Sequence, residues 1–360
     1  MHAALPADHR PYADTYFLRA AHILRADGVN PRVTMQVFIR QGPGRAWGIT
    51  AAVDALERFS SLADHGGQVL AVPEGHAYAP CEPLLHITGP LLDFIELETL
   101  YLGLMSAATT LGNAEPAPNP AAVTRRVAAL RALTPDKRIL YFGARHWSWD
   151  MDEVLSCAAV AGGADACATD AGAQAAGLRG GVGTIPHALV LAYGSTLAAT
   201  QAFDRHIDPG VPRIALVDTF GREIDDALAV ASALGPRLAG VRLDTAGEHV
   251  GQGGTPGPFD PAFQTGPGVT VSLVRAMRRA LDEAGFGHVG ITLSSGFGDP
   301  RKVRAFVKAE KTHGRLFDAM GIGGLFEARF ATADIVMVEG KPCAKVGRSH
   351  APNPAMRRVL

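Results

Sequence analysis

HVGITLSSG, residues His288–Gly296, is an apolar run of strand length that stops in serine and glycine, and helical periodicity follows it. Four other stretches have the same form: RILYFG (Arg138–Gly143), IALVD (Ile214–Asp218), AGVRLD (Ala239–Asp244) and FDAMGIGG (Phe317–Gly324). Repeated strand-then-helix units predict a mainly parallel sheet, and over this length an irregular, closed or nearly closed α/β barrel is favoured over an open sheet. Residues at the carboxyl ends of such strands share one rim. Asp218, Asp244, Ser294, Ser295 and Gly321–Gly324 are therefore expected to converge, although they lie far apart in the chain.

The chain before these units reads differently. RVTMQVFIR (Arg32–Arg40) and Gln68–Val72 predict strands, and PLLDFIELETLYLGLMSAATTL (Pro90–Leu111) predicts one long helix opening with proline. Apolar positions nearly encircle that helix, so it is expected to be buried. NAEPAPNP (Asn113–Pro120) reads as a linker. This gives an N-terminal α/β unit over 1–115 and a barrel over 116–331, with 332–360 returning to the first unit. Residues 246–268 are rich in glycine and proline without periodicity, and predict a long loop at the active rim, of the kind that serves as a lid.

Composition narrows the function classes. With 360 residues, 47% hydrophobic and 19% charged, the chain can bury a large core. A net charge of −1 with scattered basic residues leaves no electrostatic footprint for nucleic acid or an anionic membrane, so any anion must be bound locally. The four cysteines are widely separated and form no Cys-x-x-Cys pair, which argues against a disulfide framework or zinc knuckle. With no leader-like or membrane-spanning stretch, a cytoplasmic protein is expected.

Several motifs carry chemistry. The turns LSSGFGD and MGIGGLF bring small residues to consecutive strand ends, where backbone N–H groups can approach a phosphate. Arg242 and Asp244 face the same side of their strand, either as a cation for phosphate beside an acceptor for sugar hydroxyls, or as a salt-bridged strand end. Asp218 is either the N-cap of the next helix or an acidic group at the rim. In GTIPHAL, Thr184 is expected near a helix N-cap, Pro186 in the first turn and His187 at the positive helix end. His187 has three readings: a metal ligand, disfavoured because no second ligand stands at i+3 or i+4; a packed residue; or a group that handles phosphate.

Taken in order, DTYF (from Asp14), RVTMQVFIR, EPLLHITGPLLDFIELETLYLG, YFGARH, GTIPHAL, ALVDTF, GVRLD, LSSG, GIGG and IVMVEGKPCAKVGR resemble the nicotinate phosphoribosyltransferases, relatives of nicotinamide phosphoribosyltransferase. The resemblance implies an α/β sandwich domain beside an irregular barrel, in a homodimer or a higher oligomer with sites between subunits. It implies synthesis of nicotinate mononucleotide and pyrophosphate from nicotinate and phosphoribosyl pyrophosphate in pyridine-nucleotide salvage. Magnesium accompanies the pyrophosphate, and ATP hydrolysis can be coupled.

By position, Tyr16 is similar to the aromatic residue that one subunit extends over a pyridine ring bound by the other. Arg40 and Arg145 are similar to contacts for phosphate, phosphoribosyl or carboxylate groups. Arg242 and Asp244 match a phosphate-side arginine and a ribose-binding aspartate, and Asp218 an acidic group near the ribosyl centre. Ser295, Gly296, Gly321, Gly323 and Gly324 match the turns that hold the 5′-phosphate. His187 matches the histidine phosphorylated when ATP is used. The cysteine-rich tail of some shorter relatives is missing, so no zinc is expected. Tyr141 stands where relatives separate acid from amide, and its lack of charge favours nicotinate. Two alternatives stand beside this reading: transfer to another base, nicotinamide or quinolinate, and a non-catalytic phosphate-binding regulator.

Overall fold

The computed structural model describes residues 4–360. Helix α1 (Thr15–Asp27) ends on Gly28, whose φ of 66° gives a left-handed C-cap. The elements that follow are β1 (Arg32–Ile39), β2 (Gly44–Arg45), α2 (Ile49–Phe59), β3 (Gln68–Ala71), β4 (Ala77–Tyr78) and β5 (Pro83–Pro90). β1 pairs antiparallel with β5 on one side, and on the other with β12 (Ala331–Val338), returned from the far end of the chain. On one face of β1, Val33, Met35, Val37 and Ile39 enter a core shared with α1. On the other, the C-terminal segment covers Gln36, whose amide accepts from Ala351 N–H at 2.9 Å. Because both faces are covered, the polar Gln36 on that second face is buried and must be hydrogen-bonded.

The predicted helix over Pro90–Leu111 begins later than its composition suggests. Pro90 ends β5 opposite Arg32. Residues 91–97 make two tight 3₁₀ turns, and α3 runs from Glu98 to Gly112. It is buried as expected. Its backbone lies so close to the loop after the first parallel strand that a Cβ on Gly103 would stand 2.3 Å from the carbonyl oxygen of Trp147. Helix α4 (Pro120–Leu133) then starts from Asn119, whose side chain accepts from the N–H groups of Ala121 and Ala122.

The second sheet is wholly parallel. It comprises β6 (Arg138–Tyr141), β7 (Ala166–Cys167), β8 (Arg213–Leu216), β9 (Leu238–Leu243), β10 (Gly290–Leu293) and β11 (Ala319–Ile322), in the order β7-β6-β11-β10-β9-β8. The α/β class holds, and the sheet curls as a partial barrel whose edge strands β7 and β8 do not pair. All five strand-like runs read from sequence form strands. The two-residue β7 escaped that reading because it is too short to show a period. Helices α5 (Asp152–Ala161), α6 (Asp170–Ala175), α7 (His187–Tyr193), α8 (Thr196–His206), α9 (Glu223–Leu234), α10 (Val271–Glu283) and α11 (Pro300–His313) connect the strands.

Strand alternation decides which residues see the concave side. Ile139, Tyr141, Val241, Leu243, Ile291 and Leu293 enter the core on the helix side, whereas Leu140, Phe142, Arg242 and Thr292 line the interior. Between β9 and α10 the segment 246–268 stays irregular, closed at its neck by pairing of Val250 with Gly268. Strands β13 (Lys341–Pro342) and β14 (Arg357–Arg358) complete the first sheet. Among the described residues, no helix is long and apolar enough to cross a membrane.

Candidate active site

His187 is the first residue of α7, and Pro186, not Thr184, occupies the N-cap position. Proline has no side-chain oxygen to offer, so this helix start has no side-chain cap. Thr184 instead borders a cavity of about 500 Å³ inside the curled sheet, with Arg19 and Arg179. A helix of seven residues supplies little dipole. The positive charge beside His187 comes from Lys345, whose Nζ lies 2.9 Å from His187 Nε2. An ammonium has no lone pair, so Nε2 accepts, and the ring proton sits on Nδ1, which donates to Thr219 Oγ1 at 2.9 Å. Burial and the Lys345 charge both lower the histidine's pKa, outweighing Asp218 and Asp244, so the ring is neutral.

Lys345 also donates to the carbonyl oxygen of Asp244 at 2.7 Å and lies 2.7 Å from Asp218 Oδ2. Asp218 is fully buried, and its Oδ1 has no partner among the described residues. It stands well before the start of α9, whose N-cap is Arg222, so the N-cap reading of Asp218 is replaced by a rim carboxylate. Asp244 Oδ2 is 3.5 Å from His187 Nε2. Burial works to raise the Asp244 carboxyl, but the charges of Lys345 and Arg242 hold it well below the usual carboxylate range. The predicted trio of His187, Asp218 and Asp244 therefore converges on a lysine that sequence reasoning did not single out. Its only signal was membership of GKPCAKVGR.

A cavity of about 390 Å³ adjoins this group, lined by Arg145, Arg242, Asp244, Ser295, Gly296, Gly298, Gly321, Gly323 and Gly324. Ser295 and Gly296 are both left-handed, with φ of 69° and 83°. Among the described residues, no hydrogen bond engages the N–H groups of Ser295, Gly296, Phe297 or Gly298. Free backbone donors around a concavity form an anion cradle. The two turns touch, since a Cβ on Gly298 would stand 2.3 Å from the carbonyl oxygen of Gly323. Gly321 and Gly323 are small for a second reason: a Cβ would strike the Phe142 ring at 2.4 Å and His146 Cε1 at 2.5 Å, respectively. His146, also missed from sequence, accepts from Gly324 N–H at 3.0 Å.

Arg242 and Asp244 are not ion-paired with each other, which removes the salt-bridged strand end. The Arg242 guanidinium lies 6.0 Å from the centre of the Tyr16 ring, and its Nε is buried without a partner. Tyr16 borders a small cavity of its own chain with Glu98, Arg145, His187 and Arg242. Pairing of Asp14 with Thr169 holds the start of α1 beside the chain's own β7. Arg145 Nη1 donates to Glu98 Oε1 at 3.2 Å, and burial pushes the Glu98 carboxyl up to about 8 against the opposing pull of Arg145. Tyr141 faces the helices, buried, so the acid-versus-amide argument attached to it fails on geometry; its neighbour Phe142 faces the cavities. Arg40 sits at the outer rim, ion-paired with Glu248, which also accepts from Arg348 Nη1 at 2.6 Å.

A family model described as the quinolinate phosphoribosyl transferase N-terminal domain matches residues 14–109. A Mycobacterium tuberculosis protein named nicotinate phosphoribosyltransferase is 26% identical over 349 residues, which cover 87% of this chain and 65% of that protein. A Bos taurus protein of the same name is 31% identical over 254 residues, covering 67% of this chain and 43% of the bovine one. The chain thus spans less than two thirds of the length of these curated relatives. The crystal structure of a Vibrio cholerae nicotinate phosphoribosyltransferase superposes with a TM-score of 0.64 at 16% identity, covering 93% of this chain and 88% of that one, a likeness of fold. These likenesses agree with the order of motifs along the chain and with the two glycine turns beside His187, and the chain belongs to the nicotinate phosphoribosyltransferase family.

Proposed function

We propose that the protein joins nicotinate to phosphoribosyl pyrophosphate, forming nicotinate mononucleotide and pyrophosphate in NAD salvage. The observation that carries this reading is a shared lining. Arg145, Arg242 and Asp244 border the glycine cradle, and the same three residues border the cavity beside His187 and Lys345. A phosphate held in the cradle places a ribose against Asp244. The C1–oxygen bond breaks with its electron pair leaving on pyrophosphate, and the pyridine nitrogen lone pair forms the new C1–N bond. The carboxylates of Asp218 and Asp244 stabilise positive charge developing on the ribose, while Lys345 and the rim pair Arg40 and Arg348 stabilise the leaving group. Tyr16 flanks the pyridine, and Arg145 or Arg242 takes its carboxylate. The ring nitrogen needs no general base, so positioning supplies the larger effect.

Among the described residues, no group of three or more His, Cys, Asp or Glu is arranged to hold a metal. Magnesium in this proposal arrives as the complex of the pyrophosphate substrate, with the partnerless Asp218 Oδ1 as the available ligand. ATP is a co-substrate. Nε2 of neutral His187 attacks the γ-phosphorus, ADP leaves, and Lys345 turns from the ring to the new phosphoryl oxygens. No zinc enters this reading. A cytoplasmic homodimer, and a division into 1–115 with 332–360 against 116–331, belong to the same proposal; the return of β12 to β1 supports the division.

The family model over residues 14–109 favours one second reading, quinolinate as the base. Purified protein with phosphoribosyl pyrophosphate, magnesium and each of nicotinate, nicotinamide and quinolinate, with and without ATP, separates the readings by chromatography of the nucleotide. Product from nicotinate is expected. Absence of product with every base would leave only phosphate binding.

A further inference from the structure

Lys302 is a lysine that none of the chemistry above uses. It lies in the first turn of α11 and is 7% exposed. Its Nζ donates to the carbonyl oxygen of Ser295 at 2.8 Å. Its other surroundings are aromatic: Nζ stands 4.7 Å from the centre of the Phe297 ring and 5.8 Å from that of Phe263, contributed by the 246–268 segment. A Cβ on Gly296 would lie 3.7 Å from Nζ, so the ammonium sits directly behind the turn that lines the phosphate cavity. Burying an ammonium with a single hydrogen-bond acceptor is costly, and packing alone would be served as well by methionine. An anion on the far side of the turn compensates that cost.

We infer that Lys302 is a positioning residue of the phosphate cradle, holding the carbonyl of Ser295 so that the N–H groups of 295–298 stay free for a phosphomonoester, and setting a fixed positive charge behind them. This rests on the reading of that cavity as the 5′-phosphate site. The groups that face Nζ are the carboxylates of Asp244 and Asp299 at a distance, the rings of Phe263 and Phe297, and the Ser295 carbonyl. Burial pulls the ammonium down to about 8 against the opposing pull of the two carboxylates. Its charge is therefore present below pH 8 and lost as pH rises through that value, a range in which the phosphate is already a dianion.

The test is calorimetric binding of ribose 5-phosphate to the full chain between pH 7 and 9.5, for wild type, Lys302→Met and Lys302→Arg. Near-UV dichroism checks that each variant is folded. Wild type is expected to weaken several-fold above pH 8. Lys302→Met should bind about tenfold more weakly at pH 7, the scale of one lost charge-assisted contact, and lose the pH dependence. Lys302→Arg should bind at pH 7 within about threefold of wild type and stay flat to pH 9.5, because guanidinium does not titrate there. A pH-flat wild type, or Lys302→Met binding like wild type, overturns the inference and leaves the phosphate site standing. Failure of wild type to bind ribose 5-phosphate at any pH overturns both.

Discussion

Lys345 Nζ lies 2.9 Å from His187 Nε2 across 158 residues of chain, and the same ammonium is 2.7 Å from the buried Asp218. One cation thus fixes the tautomer of the histidine and compensates the carboxylate beside it.

Replacing His187 by alanine removes the imidazole that faces both Asp218 and Asp244. ATP stimulation is expected to vanish, and ATP-supported synthesis to fall by on the order of a hundredfold or more. Steady-state rates with and without ATP, together with radiolabel from γ-labelled ATP on the protein, report both effects. Unchanged rates would return His187 to a packing role.

Lys345→Met leaves Asp218 buried without its cation, a loss of about 3–5 kcal/mol by the usual cost of breaking one side of a buried pair. Asp218→Asn in the same chain should recover much of that loss, because the stranded charge is gone. Urea unfolding of the two single variants and the double variant measures the coupling. A Lys345→Met variant as stable as wild type is the result that contradicts this assignment.

Glu98 is held up to about 8 by burial, well above its value in the unfolded chain. The folded state therefore binds the extra proton between roughly pH 4.5 and 8, and stability falls as pH rises through that window. Glu98→Gln cannot ionise and should lose less stability between pH 5 and 8 than wild type, by at least about 2 kcal/mol. Thermal unfolding at both pH values decides it, and parallel losses in the two proteins would remove Glu98 as the source.

Gly298→Ala forces a methyl group against the Gly323 carbonyl, where the two cradle turns meet. Overpacking of this kind costs about 1–3 kcal/mol, and here it falls on the cradle. A rise of about tenfold in KM for phosphoribosyl pyrophosphate is expected, with a smaller change in kcat. An effect confined to kcat would place the phosphate elsewhere.

The sequence by itself determined the repeating units and the rim. HVGITLSSG and its four counterparts are legible because a buried parallel strand must be apolar and must end where the chain turns, and both marks are local. The same locality made Asp218, Asp244, Ser295 and Gly296 readable as rim residues. Local marks mislead where a neighbour in space takes over. Pro90 extends a strand because Arg32 pairs with it, Tyr141 turns away from the cavity by one step of pleat, and Thr184 misses the helix it was expected to cap.

Only the tertiary structure decided what charges the site. Lys345, Lys302, His146 and Glu98 sit in segments with no period or spacing that relates them to His187 or to the glycine turns. Each acts through a partner brought within hydrogen-bond reach by folding: His187 for Lys345, the Ser295 carbonyl for Lys302, the Gly324 N–H for His146 and Arg145 for Glu98. Burial, which sets the protonation of Lys302, His146 and Glu98, is likewise a property of the assembled core. A sequence states which groups are present; their charge at a given pH depends on what surrounds them.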